Sequence, residues 1–120
     1  MPILLAIDDS PSVRQMIRVT FASAGFEIIE ASDGLEGLQK ATSTHIDIVV
    51  TDLNMPRMNG LAFIRHLRAR PTYHSLPIIV LTTESDQAAL KEASAAGASA
   101  WITKPFNVQG LLDIARGLLQ

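Results

Sequence analysis

The sequence contains no cysteine. This absence excludes disulfide scaffolds, thiol nucleophiles and cysteine-ligated zinc sites, and it suits a reducing compartment without proving one. No apolar stretch reaches the roughly 18 residues that a membrane-spanning helix requires, and the apolar run at the N-terminus meets acids at Asp8 and Asp9, too early for a signal peptide. We therefore expect a soluble, cytoplasmic protein with no membrane partner.

An excess of charge of one sign is also lacking. The chain has 10 Lys+Arg against 12 Asp+Glu, without a long run of either sign, so it lacks the basic patch that nucleic-acid-binding domains use. No nucleic-acid partner is expected. The length of 120 residues suits one ordinary domain, and the 48% hydrophobic content is ample for one core. We interpret residues 1–120 as a single domain and expect a monomer.

Short apolar runs alternate with segments of helical periodicity. The runs are rich in Ile, Val and Leu, as strands buried on both faces require, and they are Ile3 to Ile7, Phe26 to Ala31, Ile46 to Thr51, Ile78 to Thr82 and Ala100 to Thr103. The helical segments are Val13 to Ala24, Leu35 to Thr42, Leu61 to Arg70, Gln87 to Ala96 and Leu111 to Leu119. This alternation predicts an α/β fold, a doubly wound five-stranded parallel sheet with five helices.

Polar residues gather where the predicted strands end. In such folds ligands bind beyond the carboxyl ends of the strands, and the residues found there are Asp8, Asp9, Thr51, Asp52, Asn54, Thr82, Thr83, Thr103 and Lys104. Each also has a purely local interpretation. Asp9 or Ser12 can cap the first helix, Asp52 and Asn54 can shape a turn, and Lys104 can be a solvated charge.

The acids suggest a specific chemistry if they converge. Carboxylates held close together repel one another and raise each other's pKa, so a fold that brings three together needs a cation to offset their charge. Oxygen ligands of this kind suit magnesium. A carboxylate beside a divalent ion, a lysine and a hydroxyl meets the needs of phosphoryl transfer, in which charge spreads over the phosphoryl oxygens. Asp52 is therefore the candidate nucleophile.

Four motifs point to one family. They are the paired acids of IDDS, the acid of VVTDLNMPRMNG, the hydroxyl of VLTTES and the lysine of TKPF. Together, over nearly the whole chain, they resemble the receiver domain of bacterial two-component response regulators. The resemblance is strongest to stand-alone receivers of the chemotaxis CheY type, because the chain stops after the fifth predicted helix. It implies a flavodoxin-like sheet with strand order 2-1-3-4-5.

The resemblance assigns the phosphoacceptor and its metal. Asp52 would accept a phosphoryl group from a histidine kinase or phosphotransfer domain. Asp9 and Asp52 would ligate Mg²⁺ together with the backbone carbonyl of Asn54, and Asp8 would support the site. Asn54 and Glu84 would tune how quickly water hydrolyses the phosphoryl group, or would merely solvate this edge of the sheet.

The resemblance also implies a switch. Lys104 would pair with phosphoryl oxygens, and Thr82 would move inward to hydrogen-bond one of them. The movement would alter a partner-binding surface on the fourth helix, fifth strand and fifth helix, here Gln87 to Ala96, Ala100 to Thr103 and Val108 to Leu119. Trp101 stands where the family usually has Tyr, Phe or His, and two interpretations are open: it changes rotamer with Thr82, or it packs half-buried on an edge strand.

Three smaller expectations concern the surroundings of the site. The Lys104–Pro105 bond would be cis, as is typical of the family. Gly60 would supply a positive backbone angle before the third helix. Arg14 and Arg18 would lie near the site, either where a kinase docks or as ordinary solvated side chains.

Other functions remain open at this point. An aspartate-nucleophile phosphohydrolase also uses magnesium, but it carries a second acid where this chain has Asn54. A flavin or nucleotide module needs a glycine-rich or hydroxyl-rich phosphate loop after the first strand, where DDSPS supplies acids. A receiver cut from a longer regulator would keep the chemistry and change the output. We expect a signalling phosphoacceptor rather than a true enzyme.

Overall fold

The computed structural model describes residues 1–83 and 87–120. In this part of the chain five parallel strands form one sheet in the order β2-β1-β3-β4-β5. The strands are β1 Ile3–Ile7, β2 Glu27–Ala31, β3 Ile48–Asp52, β4 Ile78–Thr83 and β5 Ala100–Lys104. The helices are α1 Pro11–Ser23, α2 Gly34–Ser43, α3 Gly60–Arg68, α4 Gln87–Ala96 and α5 Val108–Leu119. The predicted fold and strand order are confirmed.

The sheet is buried on both faces, as its continuous apolar strands predict. In β1, Leu5 and Ile7 face the layer formed by α2, α3 and α4, whereas Leu4 and Ala6 face α1 and α5. This alternation is the two-residue period of a strand. The α1 side is closed by Phe21 and Phe26, whose rings meet edge to face at a centroid distance of 5.0 Å.

Side chains that accept backbone hydrogen bonds begin four of the helices. The capping residues are Ser10, Asp33, Asn59 and Asn107, all of the types that satisfy the free amides of a first turn. Ser10 caps α1, rather than Asp9 or Ser12, because Pro11 occupies the first turn, where a missing amide costs nothing. Across residues 1–83 and 87–120, no helix is long and apolar enough to span a bilayer.

Several predicted boundaries differ by one to three residues from the observed ones, and two of these differences have a clear physical reason. Ile46 is buried but precedes β3, so its apolar character reflects core packing and not strand pairing. The helix predicted to reach Arg70 ends at Arg68, and a short 3-10 turn, Pro71–Tyr73, follows. A residue before proline is disfavoured in the helical region, and this ends the helix early.

The expectation for Gly60 was wrong in its reason. Among the described residues the glycines with positive φ are Gly25 and Gly97, and Gly60 is instead the first residue of α3. A Cβ atom built on Gly60 would lie 2.1 Å from the Asp52 carbonyl oxygen. Its amide donates to the Leu53 carbonyl at 2.9 Å. Glycine is required here because α3 begins in contact with the backbone that follows β3.

We expect Gly60→Ala to lower the free energy of unfolding by roughly 1–3 kcal/mol, because the added methyl group must displace backbone. Gly117→Ala is the matched control, since Gly117 is exposed on α5 and a Cβ there meets nothing within 4 Å. The control should raise stability by ~0.5–1 kcal/mol. Urea unfolding measures both, and equal effects would contradict the close approach at Gly60.

Candidate functional site

Three aspartates meet at the carboxyl edge of the sheet. Asp8 and Asp9 follow β1, and Asp52 ends β3, which pairs with β1 through Ile7 and Thr51. One carboxylate oxygen from each lies within 4.8 Å of those of the other two. The neighbouring positions of β1 and β3 therefore bring together the acids that the sequence separates by more than forty positions.

Lys104 connects two of these acids across the sheet. Its Nζ lies 3.2 Å from Asp8 Oδ2 and 3.2 Å from Asp52 Oδ2. Lys104 ends β5, two strands away from β3, so its long side chain spans the end of β4. The Lys104–Pro105 bond is cis, as expected.

The second oxygen of each bridged carboxylate is held by the backbone. Asp52 Oδ1 accepts from the Leu53 amide at 2.8 Å, and Asp8 Oδ1 accepts from the Ser10 amide at 2.9 Å. Asp8 is only 1% exposed, whereas Asp9 is exposed. Asp8 is thus engaged inside the protein, and Asp9 is open to solvent.

Burial and like charge shift the ionisation of the site. Burial, and then the charge of Asp8, raise the pKa of Asp52, and the Lys104 ammonium only partly offsets them. Burial opposes the charged form of Lys104, but the two carboxylates outweigh it and raise the pKa of the lysine. Three carboxylates and one ammonium leave a negative excess that suits a divalent cation. The donor set, oxygen only, suits Mg²⁺.

The remaining predicted site residues differ in their surroundings. Thr82 is buried at the end of β4, and its hydroxyl donates to the Thr83 carbonyl at 3.4 Å. Asn54 is exposed just beyond Asp52. Trp101 is 52% exposed on the edge strand β5, which is compatible with both interpretations given for it. Glu84 lies outside the described residues.

Sequence reasoning missed the partners of the nearby arginines. Arg14 and Arg18 both pair with Glu30 of β2, and Arg14 also donates to the Asp8 carbonyl oxygen. These contacts join α1 to the strand ends. Since the pairings link distant segments, the sequence alone carries no signal for them.

A second missed pair joins Asp33 and Arg57, whose Nε lies 2.7 Å from Asp33 Oδ2. The Glu36 amide foremost, and then Arg57, hold the pKa of Asp33 below its usual range, although burial opposes them. Part of this was visible in the sequence: an Asp followed three residues later by Glu is a capping-box pattern at the start of a helix.

Comparison with known proteins settles the family. The model of the response regulator receiver domain matches residues 4–116. The chain belongs to this family. It is 38% identical to the chemotaxis protein CheY1 of Helicobacter pylori over 112 residues, 92% of this chain and 90% of that protein. It is 41% identical to the structure of the chemotaxis response regulator CheY4 of Vibrio cholerae, with a TM-score of 0.93 and 99% of each chain covered.

The chain is therefore the receiver domain of a CheY-like response regulator, with a phosphoacceptor role in signalling. Receiver domains bind Mg²⁺ at acidic residues and act with histidine kinases and downstream targets. The same domain also occurs in longer regulators. The chain is 36% identical to the response regulator MprA of Mycobacterium leprae over 117 residues, which is 50% of that protein.

We expect Asp52→Asn to stabilise the protein in metal-free buffer at pH 7. A carboxyl group whose folded pKa exceeds its unfolded pKa destabilises the fold above both values, and this cost shrinks as the pH falls through the folded pKa. The amide removes the charge and keeps the shape. Urea unfolding should show a gain at pH 7 that disappears below the ordinary carboxyl pKa.

Exposed Asp113→Asn on α5 is the control for this comparison, and it should change stability little, as surface substitutions do. An Asp52→Asn protein less stable than wild type at pH 7 would mean that the attraction to Lys104 outweighs burial and the repulsion from Asp8.

Proposed function

We propose that Asp52 accepts a phosphoryl group from a histidine kinase or phosphotransfer domain. The observation that carries the proposal is the bridge from Lys104 Nζ to the Asp52 and Asp8 carboxylates within the three-aspartate cluster. A cation beside a nucleophilic carboxylate is the arrangement that phosphoryl transfer needs, because positioned charges neutralise the transferred oxygens.

In the proposed reaction a carboxylate oxygen of Asp52 attacks the phosphorus of a phosphohistidine. The new oxygen–phosphorus bond forms as the phosphorus–nitrogen bond breaks, and the nitrogen keeps its electron pair. The Lys104 side chain is 25% exposed. After transfer the phosphoryl oxygens would carry more negative charge than the carboxylate, so the Lys104 ammonium would pair with them instead.

The oxygen-only cluster and its negative excess fit Mg²⁺. Asp9, Asp52 and the backbone carbonyl of Asn54 would hold the ion, with Asp8 supporting them. When bound, the ion supplies neutralising charge to the phosphoryl oxygens. Asp9 is the exposed member of the cluster, so it is the acid that an ion entering from solvent meets first.

Thr82 is the proposed link from the site to the output surface. Its hydroxyl now donates a long hydrogen bond to the neighbouring carbonyl, and a phosphoryl oxygen would be a stronger, charged acceptor. Rotation of the Thr82 side chain would alter the surface formed by α4, β5 and α5. Trp101 of β5 is exposed on the protein surface. Asn54 and Glu84 would set the rate at which water removes the phosphoryl group.

We place this switch in chemotaxis or motility signalling, on the strength of the chemotaxis relatives. We further propose that the protein is cytoplasmic and monomeric, and that residues 1–120 form one receiver domain. Its target is a protein that binds the surface of α4, β5 and α5, not a nucleic acid. It transfers a phosphoryl group to itself and turns over no separate substrate, since Asn54 replaces the second acid of a phosphohydrolase.

The test is intact-mass spectrometry after incubation with Mg²⁺ and acetyl phosphate. We expect one added phosphoryl group on the wild type and none on Asp52→Asn or without Mg²⁺. A wild type that gains nothing, and binds no Mg²⁺ in calorimetry, would remove the proposal and leave a receiver fold used only for binding. Turnover of phosphate esters without a stable adduct would favour the phosphohydrolase.

Trp101 gives a second test, because it is the chain's one tryptophan. If the output surface rearranges with Thr82, its fluorescence should change on phosphorylation, and Thr82→Ala should reduce that change while Asp52 is still phosphorylated. Fluorescence that stays constant in the phosphorylated wild type would exclude Trp101 from the switch.

A further inference from the structure

The loop between β3 and α3, residues 53–59, is tied to the start of α2 by two adjacent contacts. The Arg57 side chain meets Asp33, and the Gly34 amide donates to the Met58 carbonyl at 2.8 Å. A Cβ atom on Gly34 would lie 2.4 Å from that same carbonyl oxygen. The two segments therefore touch through their backbones as well as through the ion pair.

Arg57 holds a backbone conformation that it would not adopt unaided. Its φ is +64°, the one positive value at a non-glycine residue in the part of the chain described, and this region costs an ordinary residue roughly 1 kcal/mol. The Met58 amide donates to the Pro56 carbonyl at 2.8 Å, which closes a three-residue turn centred on Arg57. The turn directs the guanidinium toward Asp33.

The Asp33 carboxylate joins α2 to this partner. Asp33 is 4% exposed, and its Oδ1 caps α2 by accepting from the Glu36 amide at 2.8 Å. Its Oδ2 takes the Arg57 Nε at 2.7 Å. Because the Arg57 side chain is itself 59% exposed, water could replace it at this oxygen, so the main loss on removing Arg57 is the contact that joins the loop to α2.

The same loop carries part of the proposed metal site. It leaves Asp52, passes Asn54, and reaches Arg57 only three residues later, while its other end is fixed by the Gly60 amide on the Leu53 carbonyl. The loop is thus fastened to α2 on one side and to the end of β3 on the other. The backbone carbonyl of Asn54 belongs to the part of the loop between these two attachments.

We propose that Arg57 is a positioning residue for phosphoryl transfer: its pairing with Asp33 fixes the 53–59 loop so that the Asn54 carbonyl and the Asp52 carboxylate share one ion. This inference rests on the function proposed above. Arg57 acts through the loop backbone. The arrangement makes the start of α2 a support for a site formed by other elements.

The test is calorimetric Mg²⁺ affinity of the full chain at a temperature well below unfolding. Arg57→Asn is the main variant, because asparagine tolerates positive φ and lacks the guanidinium. Asp33→Asn keeps the cap on α2 and removes the charge. We expect each to raise the Mg²⁺ Kd roughly fivefold, or about 1 kcal/mol, and to slow phosphorylation by acetyl phosphate at subsaturating Mg²⁺.

The double variant Asp33→Asn/Arg57→Asn should be no weaker than either single one, because both remove the same contact. Arg57→Lys, which keeps the charge, should recover part of the affinity. Arg65→Asn is the matched control: the Arg65 side chain is 61% exposed against 59% for Arg57, and it pairs with Glu92 away from the loop. Its Mg²⁺ Kd should stay at the wild-type value.

The outcomes separate two failures. If the wild type binds Mg²⁺ and is phosphorylated while the Arg57 and Asp33 variants keep its Kd, or lose only thermal stability, the positioning role is overturned and the proposed function stands. If the wild type itself neither binds Mg²⁺ nor gains a phosphoryl group, the proposed function fails and the inference fails with it.

Discussion

The bridge from Lys104 to Asp8 and Asp52 is the interaction on which the site depends. A parallel sheet directs the carboxyl ends of all its strands to one edge, so side chains after β1, β3 and β5 must meet there. Asp8 is nearly inaccessible, and two such carboxylates side by side would be costly if they were unpaired. Lys104 lowers that cost without removing it, since the pKa of Asp52 remains raised by burial and by Asp8. The strands β1 and β3 that lead to the two aspartates are apolar and buried on both faces, and their packing keeps the charged groups close to one another.

An incompletely neutralised site has a consequence for function. A fold whose acids were fully paired would gain little from an added cation, whereas the negative excess here favours one. The structure therefore combines a rigid support with a centre that is electrostatically unsatisfied. With that cation in place, the proposed phosphoryl transfer to Asp52 would bring oxygens that Lys104 and Thr82 are proposed to bind. The same negative excess would lower the stability of the fold and favour the cation that the reaction proposed for Asp52 needs.

The fold was largely predictable, and the fine geometry was not. Runs such as IIVL predict buried strands because buried parallel strands need apolar residues on both faces. The acids that follow such runs predict a polar edge of the sheet. The strand order came from resemblance, since periodicity does not say which strands are neighbours. Gly60 was recognised as special for the wrong reason: a close backbone approach between β3 and α3 is a tertiary contact. The Asp33–Arg57 pair likewise spans 24 positions, and no local pattern encodes such a pairing.

The two sides of Asp52 are held differently, and this asymmetry bears on how a signal would leave the site. On the side of the 53–59 loop, the chain is fastened by the Gly60 amide, and by the Gly34–Met58 contact and Arg57, which join the loop to α2. Toward β4, the Thr82 hydroxyl makes a 3.4 Å contact with its neighbour's carbonyl, which a charged acceptor could replace at little cost. A new charge on Asp52 would thus meet a fixed boundary on one side and a rotatable hydroxyl on the other. The proposed displacement would begin at the Thr82 hydroxyl, because packed elements resist continuous deformation. The fastening of the 53–59 loop would then be part of the proposed switch, since it holds the other side of Asp52 in place.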